Sequence, residues 1–276
     1  MDLFFDSGAT KCDCIVLEQG KYVRHFTNQG INASYASNEM IDNVLLRFAK
    51  AVDSEVERIV FSGAGCGNPQ NGERVKERLS QHFHAGDIVV ESDLAGACRL
   101  LTPGEAGMVA ILGTGAAVCL YDGNSIVEQG PPLGWMLGDE GSGTHLGKKF
   151  ITSYLKNELL PETAIAFEQE HAVDRTDVIR KIYRTPSPNL FFSSVAKFMA
   201  ANADADTQLK SIIQEAFEEF FTQQISKIYQ YSQFRLHIMG SVGLHFQNYI
   251  QKTMSKHGVT IGRIAGAPLE IFKRNQ

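Results

Sequence analysis

The stretch Leu3-Phe4-Phe5-Asp6-Ser7-Gly8-Ala9-Thr10-Lys11 decides how the rest of the chain is read. An apolar run ends in an aspartate, a glycine-bearing turn follows with a threonine and a lysine, and a second apolar run covers Cys14 to Leu17. The pattern predicts strand, tight turn, strand. Gly8 frees the turn from Cβ sterics, so backbone N–H groups can line up toward an anion. Thr10 adds a hydroxyl and Lys11 a positive charge. Asp6, at the strand end, is placed to hold a Mg2+ ion through its waters. Taken alone, the same residues also make an ordinary hairpin with an exposed Asp and Lys, because short Gly-turn motifs recur by chance.

The pattern comes back. A strand at Met108–Leu112 runs into Gly113-Thr114-Gly115, and a second strand follows at Ala117–Tyr121. Asp122-Gly123-Asn124 is a hairpin turn. A third strand, Ile126–Gln129, closes the set at Gln129-Gly130, as Gln29-Gly30 closes the first. This is an internal repeat of architecture with faint sequence identity. Two such copies facing each other would bring two anion-binding turns to one cleft, a reason for both turns that ordinary hairpins do not supply.

Between the copies the chain predicts a loop over Asn28–Ser34, then a helix over Glu39–Val52 with Ile41, Val44, Leu45, Phe48 and Val52 on one stripe. A buried strand at Ile59–Phe61 leads into Gly63-Ala64-Gly65-Cys66-Gly67, and a helix covers about Gly72–Phe83. A strand at Ile88–Val90 and a helix opened by Asp93 follow, and Thr102-Pro103-Gly104 breaks that helix. This gives two domains, 1–104 and 105–276. After the second copy, the Trp135–Gly143 stretch precedes a helix over about Thr144–Leu159, and Pro161–Asn202 is mostly helical. An amphipathic helix over about Thr207–Gln230 and a strand at Leu236–Met239 come next. Gly240-Ser241-Val242-Gly243 then leads a helix through Met254, before a last strand at Thr260–Ile264.

The chain has 276 residues, 43% hydrophobic and 21% charged, with a formal net charge of −5. These are globular values, and the absence of a basic run argues against nucleic acid as the main partner. No apolar run reaches the ~20 residues of a membrane span, and no basic segment precedes the first apolar piece as in a signal peptide; the expected location is the cytoplasm. The five cysteines, Cys12, Cys14, Cys66, Cys98 and Cys119, are odd in number and widely spaced, so they read as structural thiols rather than a disulfide framework.

Asp93, between a strand and a helix, is either a helix-start acid or a general base that takes the proton of a substrate hydroxyl during phosphoryl transfer. Thr114 and the backbone donors around it suit nucleotide phosphates. The glycines after Met239 would let the backbone approach a flat ligand, although close helix–strand packing explains them equally well. The Trp135–Gly143 stretch, with four glycines, two adjacent acids and the single tryptophan, makes a poor helix and a poor strand. Asp139 or Glu140 would accept hydrogen bonds from sugar hydroxyls, Trp135 would offer an apolar face, and Asn32 would reach the same ligand from the other side. The histidines show no metal spacing, and the Walker signature is absent.

At this point the chain resembles a known family. DSGATK, ESDLAGA from Glu91 to Ala97, ILGTGA, the GWMLGDEGSG block and MGSVG follow in its order. The chain looks like the N-acetylglucosamine kinases of the BadF/BadG/BcrA/BcrD ATPase family, within the sugar kinase and actin-like ATPase superfamily. The resemblance implies an α/β fold of two ribonuclease H-like domains with a central cleft, with ATP and Mg2+ as cosubstrate and cofactor. It assigns Asp6, Gly8, Thr10 and Lys11 to the first phosphate loop, Thr114 and Gly115 to the second, Gly240 and Ser241 to an adenosine motif, and Asp93 to the catalytic base. Asn32, Thr114, Gly134, Trp135 and Asp139 fall where the family holds its sugar. The implied reaction is phosphorylation of an amino sugar, N-acetylglucosamine to its 6-phosphate in the leading case, by a possible homodimer. The alternatives are an ATPase that activates a partner protein, which would need a cysteine-held cluster for which no cysteine pair is visible, and a non-catalytic sugar sensor. One departure lies at the C-terminus, where Ala267-Pro268-Leu269-Glu270 is followed by Ile271-Phe272-Lys273-Arg274 and not by a small-residue helix.

Overall fold

The computed structural model describes residues 1–52 and 55–274; positions 53–54 and 275–276, the latter two at the end of the expected second domain, lie outside the described residues. The chain divides into two compact units, one formed by Met1–Pro103 with the C-terminal segment from Ala267, the other by Gly104–Gly266.

In the first unit, β1 (Asp2–Ser7), β2 (Lys11–Glu18) and β3 (Lys21–Gln29) form an antiparallel meander. β4 (Val56–Gly63) runs parallel to β1, and β5 (Ala85–Ser92) runs parallel to β4, giving the sheet order β3-β2-β1-β4-β5. β3 continues through Gln29 and so takes in the first two residues of the expected loop. The helices start where side-chain oxygens can satisfy their first N–H groups. Ser37 caps α1 (Asn38–Ala51), Asn68 caps α2 (Pro69–His82), and Ser92 caps α3 (Asp93–Leu101).

The strand alternation of β2 is overridden, because every residue from Cys12 to Leu17 is buried. Cys12, Cys14 and Val16 join Phe5, Phe48 and Phe61 in the main core of the unit. Ile15 and Leu17 pack with Phe4 on the opposite face, which the C-terminal helix Pro268–Arg274 covers with Leu269 and Phe272. The Phe4 and Phe272 rings lie 5.1 Å apart. The C-terminal helix thus belongs to the first unit, whereas the expected domain 105–276 put it in the second. Its apolar Leu269 and Phe272 are what the exposed back of β1 and β2 requires.

The second unit repeats the plan. β6 (Gly107–Leu112), β7 (Ala116–Tyr121) and β8 (Ile126–Gln129) form the antiparallel meander, and β9 (Leu236–Met239) and β10 (Ile261–Ala265) add in parallel, in the order β10-β9-β6-β7-β8. Read from the meander inward, this is the topology of the first sheet. Between β8 and β9 lie α4 (Gly134–Leu137), α5 (Gly143–Leu155), α6 (Pro161–His171), α7 (Arg175–Arg184), α8 (Pro188–Asn202) and α9 (Thr207–Gln223). The expected helix over Thr207–Gln230 ends at Gln223; Ile225 and Ile228 remain buried, but in a 3-10 turn and the segment after it. The helix expected after Gly240 is broken at Phe246 into α10 (Ser241–His245) and α11 (Gln247–Lys256).

Candidate functional site

The first turn is closed by the Gly8 N–H donating to the Lys11 carbonyl at 2.9 Å, and Gly30 N–H donates to the Thr10 carbonyl at 3.2 Å. Gly30 presses on this turn so closely that a Cβ there would stand 2.3 Å from the Gly8 oxygen and 2.7 Å from the Lys11 nitrogen. The buried Ser7 hydroxyl fixes the same crossing, donating to the Ile31 carbonyl at 3.0 Å and accepting from the Ile31 N–H at 2.8 Å.

Charge is arranged around that frame. Asp13, 1% exposed, lies opposite Asp6 in the β1–β2 register. Its carboxylate sits 2.6 Å from the Lys11 ammonium and accepts from the Thr27 hydroxyl at 2.6 Å. Burial pushes the Asp6 carboxyl up to about 7, with the charges of Asp13 and Asp93 adding to the rise and Lys11 opposing it. Asp93 opens α3, but Ser92 is the cap, accepting from Ala95 N–H at 3.1 Å. The half-buried Asp93 accepts from Leu94 N–H at 2.9 Å, and burial still holds its carboxyl above the usual carboxylate range. The structure therefore brings Asp6, Gly8, Thr10, Lys11 and Asp93 into one region of the first unit.

Asn32 stands in the loop behind this turn. Its Oδ1 accepts from Ser34 N–H at 3.0 Å, and its carbonyl accepts from the Tyr35 and Ala36 N–H groups. The loop docks on the Gly63–Gly67 turn, where Ala33 N–H donates to the Ala64 carbonyl at 2.8 Å and a Cβ on Gly65 would stand 2.8 Å from Asn32 Oδ1. The same turn reaches toward Asp93: burial chiefly, and then the Asp93 charge, push the Cys66 thiol up to about 12. Arg74 of α2 braces the loop from outside by donating to the carbonyls of Ala36, at 2.9 Å, and Ala33.

In the second unit the turn carries no charged residue. Gly113 N–H donates to the Gly115 carbonyl at 3.0 Å. The start of α5 clamps it, because Gly143 N–H donates to the Gly113 carbonyl at 2.8 Å and the Thr144 hydroxyl to the Thr114 carbonyl at 2.7 Å. Asp139 lies directly over the turn. Its carboxylate receives the Ala116 N–H, and a Cβ on Gly115 would stand 3.0 Å from its Oδ2. Burial and then Glu140 hold the Asp139 carboxyl above its ordinary value, against Ala116 and Lys148. Asp139 itself has φ 60, a left-handed conformation that aspartate tolerates.

Gly240 has φ +125, and a Cβ on it would stand 2.2 Å from the Leu112 oxygen. Close packing against the second turn is a complete reason for this glycine. Ser241, exposed, is the first residue of α10. The stretch expected to be neither helix nor strand contains the single helical turn α4, entered from Gly134 at φ +71. Trp135 is directed to the core: its ring lies 6.1 Å from Phe192, and Lys148 donates to its carbonyl at 2.9 Å. Thr114, Gly115, Asp139 and Gly240 are thus gathered at one turn, while Trp135 is tied to α5 and α8.

Sequence reasoning missed Asp13, Gly30, Arg74, Thr144 and His145. Gly30 alone carried a signal, as the end of the first repeat. All five cysteines are buried. Among the described residues no helix is long and apolar enough to cross a membrane, and no group of three or more His, Cys, Asp or Glu forms a ready metal cage.

Two sheets of identical topology, each with a glycine-bearing turn after its first strand, define the class of fold: the duplicated α/β fold of actin-like ATPases and sugar kinases. A glucokinase of the ROK family from Streptomyces griseus, solved with glucose and AMPPNP, shares this fold at 15% identity, with a TM-score of 0.55 over 96% of this chain and 94% of that one. The chain belongs to the BadF/BadG/BcrA/BcrD ATPase family, whose model matches residues 5–261, and membership implies the use of ATP. A crystal structure from Porphyromonas gingivalis, described as a "putative N-acetylglucosamine kinase", is 33% identical, with a TM-score of 0.91 over 99% of this chain and 98% of that one. A second structure so described, from Chromobacterium violaceum, is 16% identical, with a TM-score of 0.75 over 99% and 97%. No curated protein matches the chain significantly in sequence.

Proposed function

We propose that the chain transfers the γ-phosphate of ATP to a hydroxyl of an amino sugar, in the leading case N-acetylglucosamine to N-acetylglucosamine 6-phosphate, with Asp93 as the general base. The observation that carries this reading is Asp93 itself. It is a carboxylate released from capping by Ser92, held above the usual carboxylate range by burial, and near enough to Asp6 of the first turn for its charge to act there. A base poised nearer the working pH accepts a proton more effectively in the transition state. The name given to the Porphyromonas gingivalis relative supports the choice of sugar.

In this reading the sugar oxygen attacks the γ-phosphorus, the bond from that phosphorus to the β–γ bridging oxygen breaks, and the hydroxyl proton passes to Asp93. The N–H groups and hydroxyls of the two turns, with Thr10 and Thr114, hold the phosphates, and Lys11 offsets their charge. Asp139 and Asn32 accept from sugar hydroxyls, and Gly134 and Trp135 shape the loop that carries Asp139. Gly240 and Ser241 lie at the nucleoside end. Mg2+, when bound, neutralises charge on the β- and γ-oxygens. Asp6 would hold it: a buried carboxylate under the charges of Asp13 and Asp93 would gain from a cation beside it.

The test is a panel of amino sugars incubated with ATP and Mg2+, with phosphosugar and ADP both measured. One sugar converted with equal amounts of ADP and phosphosugar is the expected result. ATP hydrolysis at one rate with and without every sugar would overturn the kinase reading and favour a partner-coupled ATPase.

A further inference from the structure

The Gly138–Gly143 loop carries Asp139 at one end and leads into α5 at the other, and something must hold it. Gly141, at φ +79, lies so near α9 that a Cβ on it would stand 2.8 Å from the Cβ of Phe220. The Gly141 N–H donates to His145 Nδ1 at 3.1 Å. A backbone N–H can only donate, so Nδ1 must be bare and the ring proton must sit on Nε2. That nitrogen is 2.9 Å from Glu219 Oε2 on α9, and so the ring donates to it. Glu219 Oε1 in turn accepts from Lys149 Nζ at 2.7 Å. Each ring nitrogen is used once, and the imidazole bridges a loop amide to a helix carboxylate. The backbone N–H of His145 donates to Ser142 Oγ at 3.1 Å, and the Gln224 side-chain amide donates to Glu140 at 2.8 Å, so the loop is tied on both sides of Gly141.

We propose that His145 is a positioning residue: its neutral ring holds the loop, and with it Asp139, against α9, and protonation of the ring releases Gly141. The proposal rests on Asp139 being a sugar ligand only for its effect on activity; the tether itself does not depend on that reading. A doubly protonated imidazole has no acceptor, so the Gly141 hydrogen bond is lost at acid pH while the pairing with Glu219 tightens. The charged groups around the ring are Glu219 and Glu215 on α9, Lys148 and Lys149 on α5, and Glu140 in the loop. Burial, helped by the two lysines, keeps the ring below the ordinary histidine range, against the pull of Glu219. The neutral bridge is therefore the form present near neutrality. The ring also lines a cavity of about 620 Å3 with Gly138, Glu140, Lys149 and Glu219, which gives solvent protons a route to it.

The test uses the full chain labelled with 15N, together with His145→Phe and His145→Gln. A glutamine can still accept from Gly141 and donate to Glu219, and a phenylalanine can do neither. Expected at neutral pH is a bare Nδ1 on His145 and a Gly141 amide protected from hydrogen exchange. That protection, corrected for intrinsic exchange, falls about tenfold as the ring titrates, the size of one hydrogen bond of ~1.4 kcal/mol. His145→Phe loses the protection at every pH, and His145→Gln keeps it without the acid step. In turnover, the KM for the sugar rises about tenfold in His145→Phe, the KM for ATP stays within about twofold, and His145→Gln restores the sugar KM. A protonated Nδ1 at neutral pH, or equal Gly141 protection in the native chain and His145→Phe, would overturn the proposal. Protection that behaves as expected in a chain that turns over no sugar would sink the kinase reading and leave the tether standing.

Discussion

In the first unit the turn between β1 and β2 is a centre of charge: Asp6 and Lys11 flank it, and a buried Asp13 holds the lysine at 2.6 Å. In the second unit the equivalent turn between β6 and β7 bears no charge of its own. It is held by α5 through the Gly113 and Thr114 carbonyls, with Asp139 laid across Gly115. The backbone device is nevertheless the same. In each, a glycine from a distant segment comes so near that a Cβ would collide with a carbonyl of the hairpin, at 2.3 Å from Gly8 for Gly30 and 2.2 Å from Leu112 for Gly240. The duplication keeps the frame and divides the chemistry. Acid, lysine and proposed base lie in the first unit, and the uncharged turn with the Asp139 loop over it lies in the second.

The largest expected effect falls on the charged side. Asp93→Asn should lower kcat by roughly 10²–10⁴, the range for loss of a general base, with the KM for ATP little changed. An equal loss of nucleotide binding would mean that Asp93 serves the phosphates instead. Next comes a pH effect confined to the first unit. The folded Asp6 carboxyl is raised from 3.8 to about 7, so the folded state binds the proton more tightly than the unfolded chain. Stability is then highest, as far as this group is concerned, below about pH 4, and is lost as pH rises through about 7. The loss is on the order of 4 kcal/mol at most. Without nucleotide, Asp6→Asn should melt higher than the native chain at pH 8 and lose activity. Equal melting points across that range would contradict the assignment.

The frame can be tested on both sides at once. Gly30→Ala and Gly240→Ala each force a backbone shift, expected to cost about 1–3 kcal/mol in thermal or denaturant unfolding, and each should weaken ATP binding. If only one does, the two turns are not equivalent. Asp13→Asn removes the partner of Lys11 and leaves the buried site short of charge; the KM for ATP should rise several-fold while the KM for sugar holds. The smallest effect is that of Thr144→Val, which loses one hydrogen bond to Thr114 and should cost about 1 kcal/mol.

The two meanders and their turns were legible because strand period and turn glycine are local signals. Asp13 was not. An acid between two cysteines reads as the outward residue of an alternating strand, and segments far apart in sequence, α3 with Leu100 and the C-terminal helix with Leu269 and Phe272, cover the face of β2 that carries Ile15 and Leu17. The end of α9 was hidden for a similar reason. Ile225 and Ile228 continue the apolar stripe and are indeed buried, but a 3-10 turn and the segment after it bury them as well as an α-helix would. Of the site, Asp6, Asp93 and Asp139 could be named from short motifs. The groups that brace the neighbouring loops, Arg74 on the Asn32 loop and His145 under Gly141, act through backbone atoms and leave no mark in the sequence.

The proposal at the centre of this account is that the Thr10 turn and the Thr114 turn are each nucleotide-phosphate ligands. Calorimetric titration with a non-hydrolysable ATP analogue and Mg2+, on the native chain, Thr10→Val and Thr114→Val, tests it most directly. The account predicts one analogue per chain, affinity reduced about tenfold by either substitution, and the same stoichiometry throughout. Two analogues per chain, or native affinity in either variant, would contradict it.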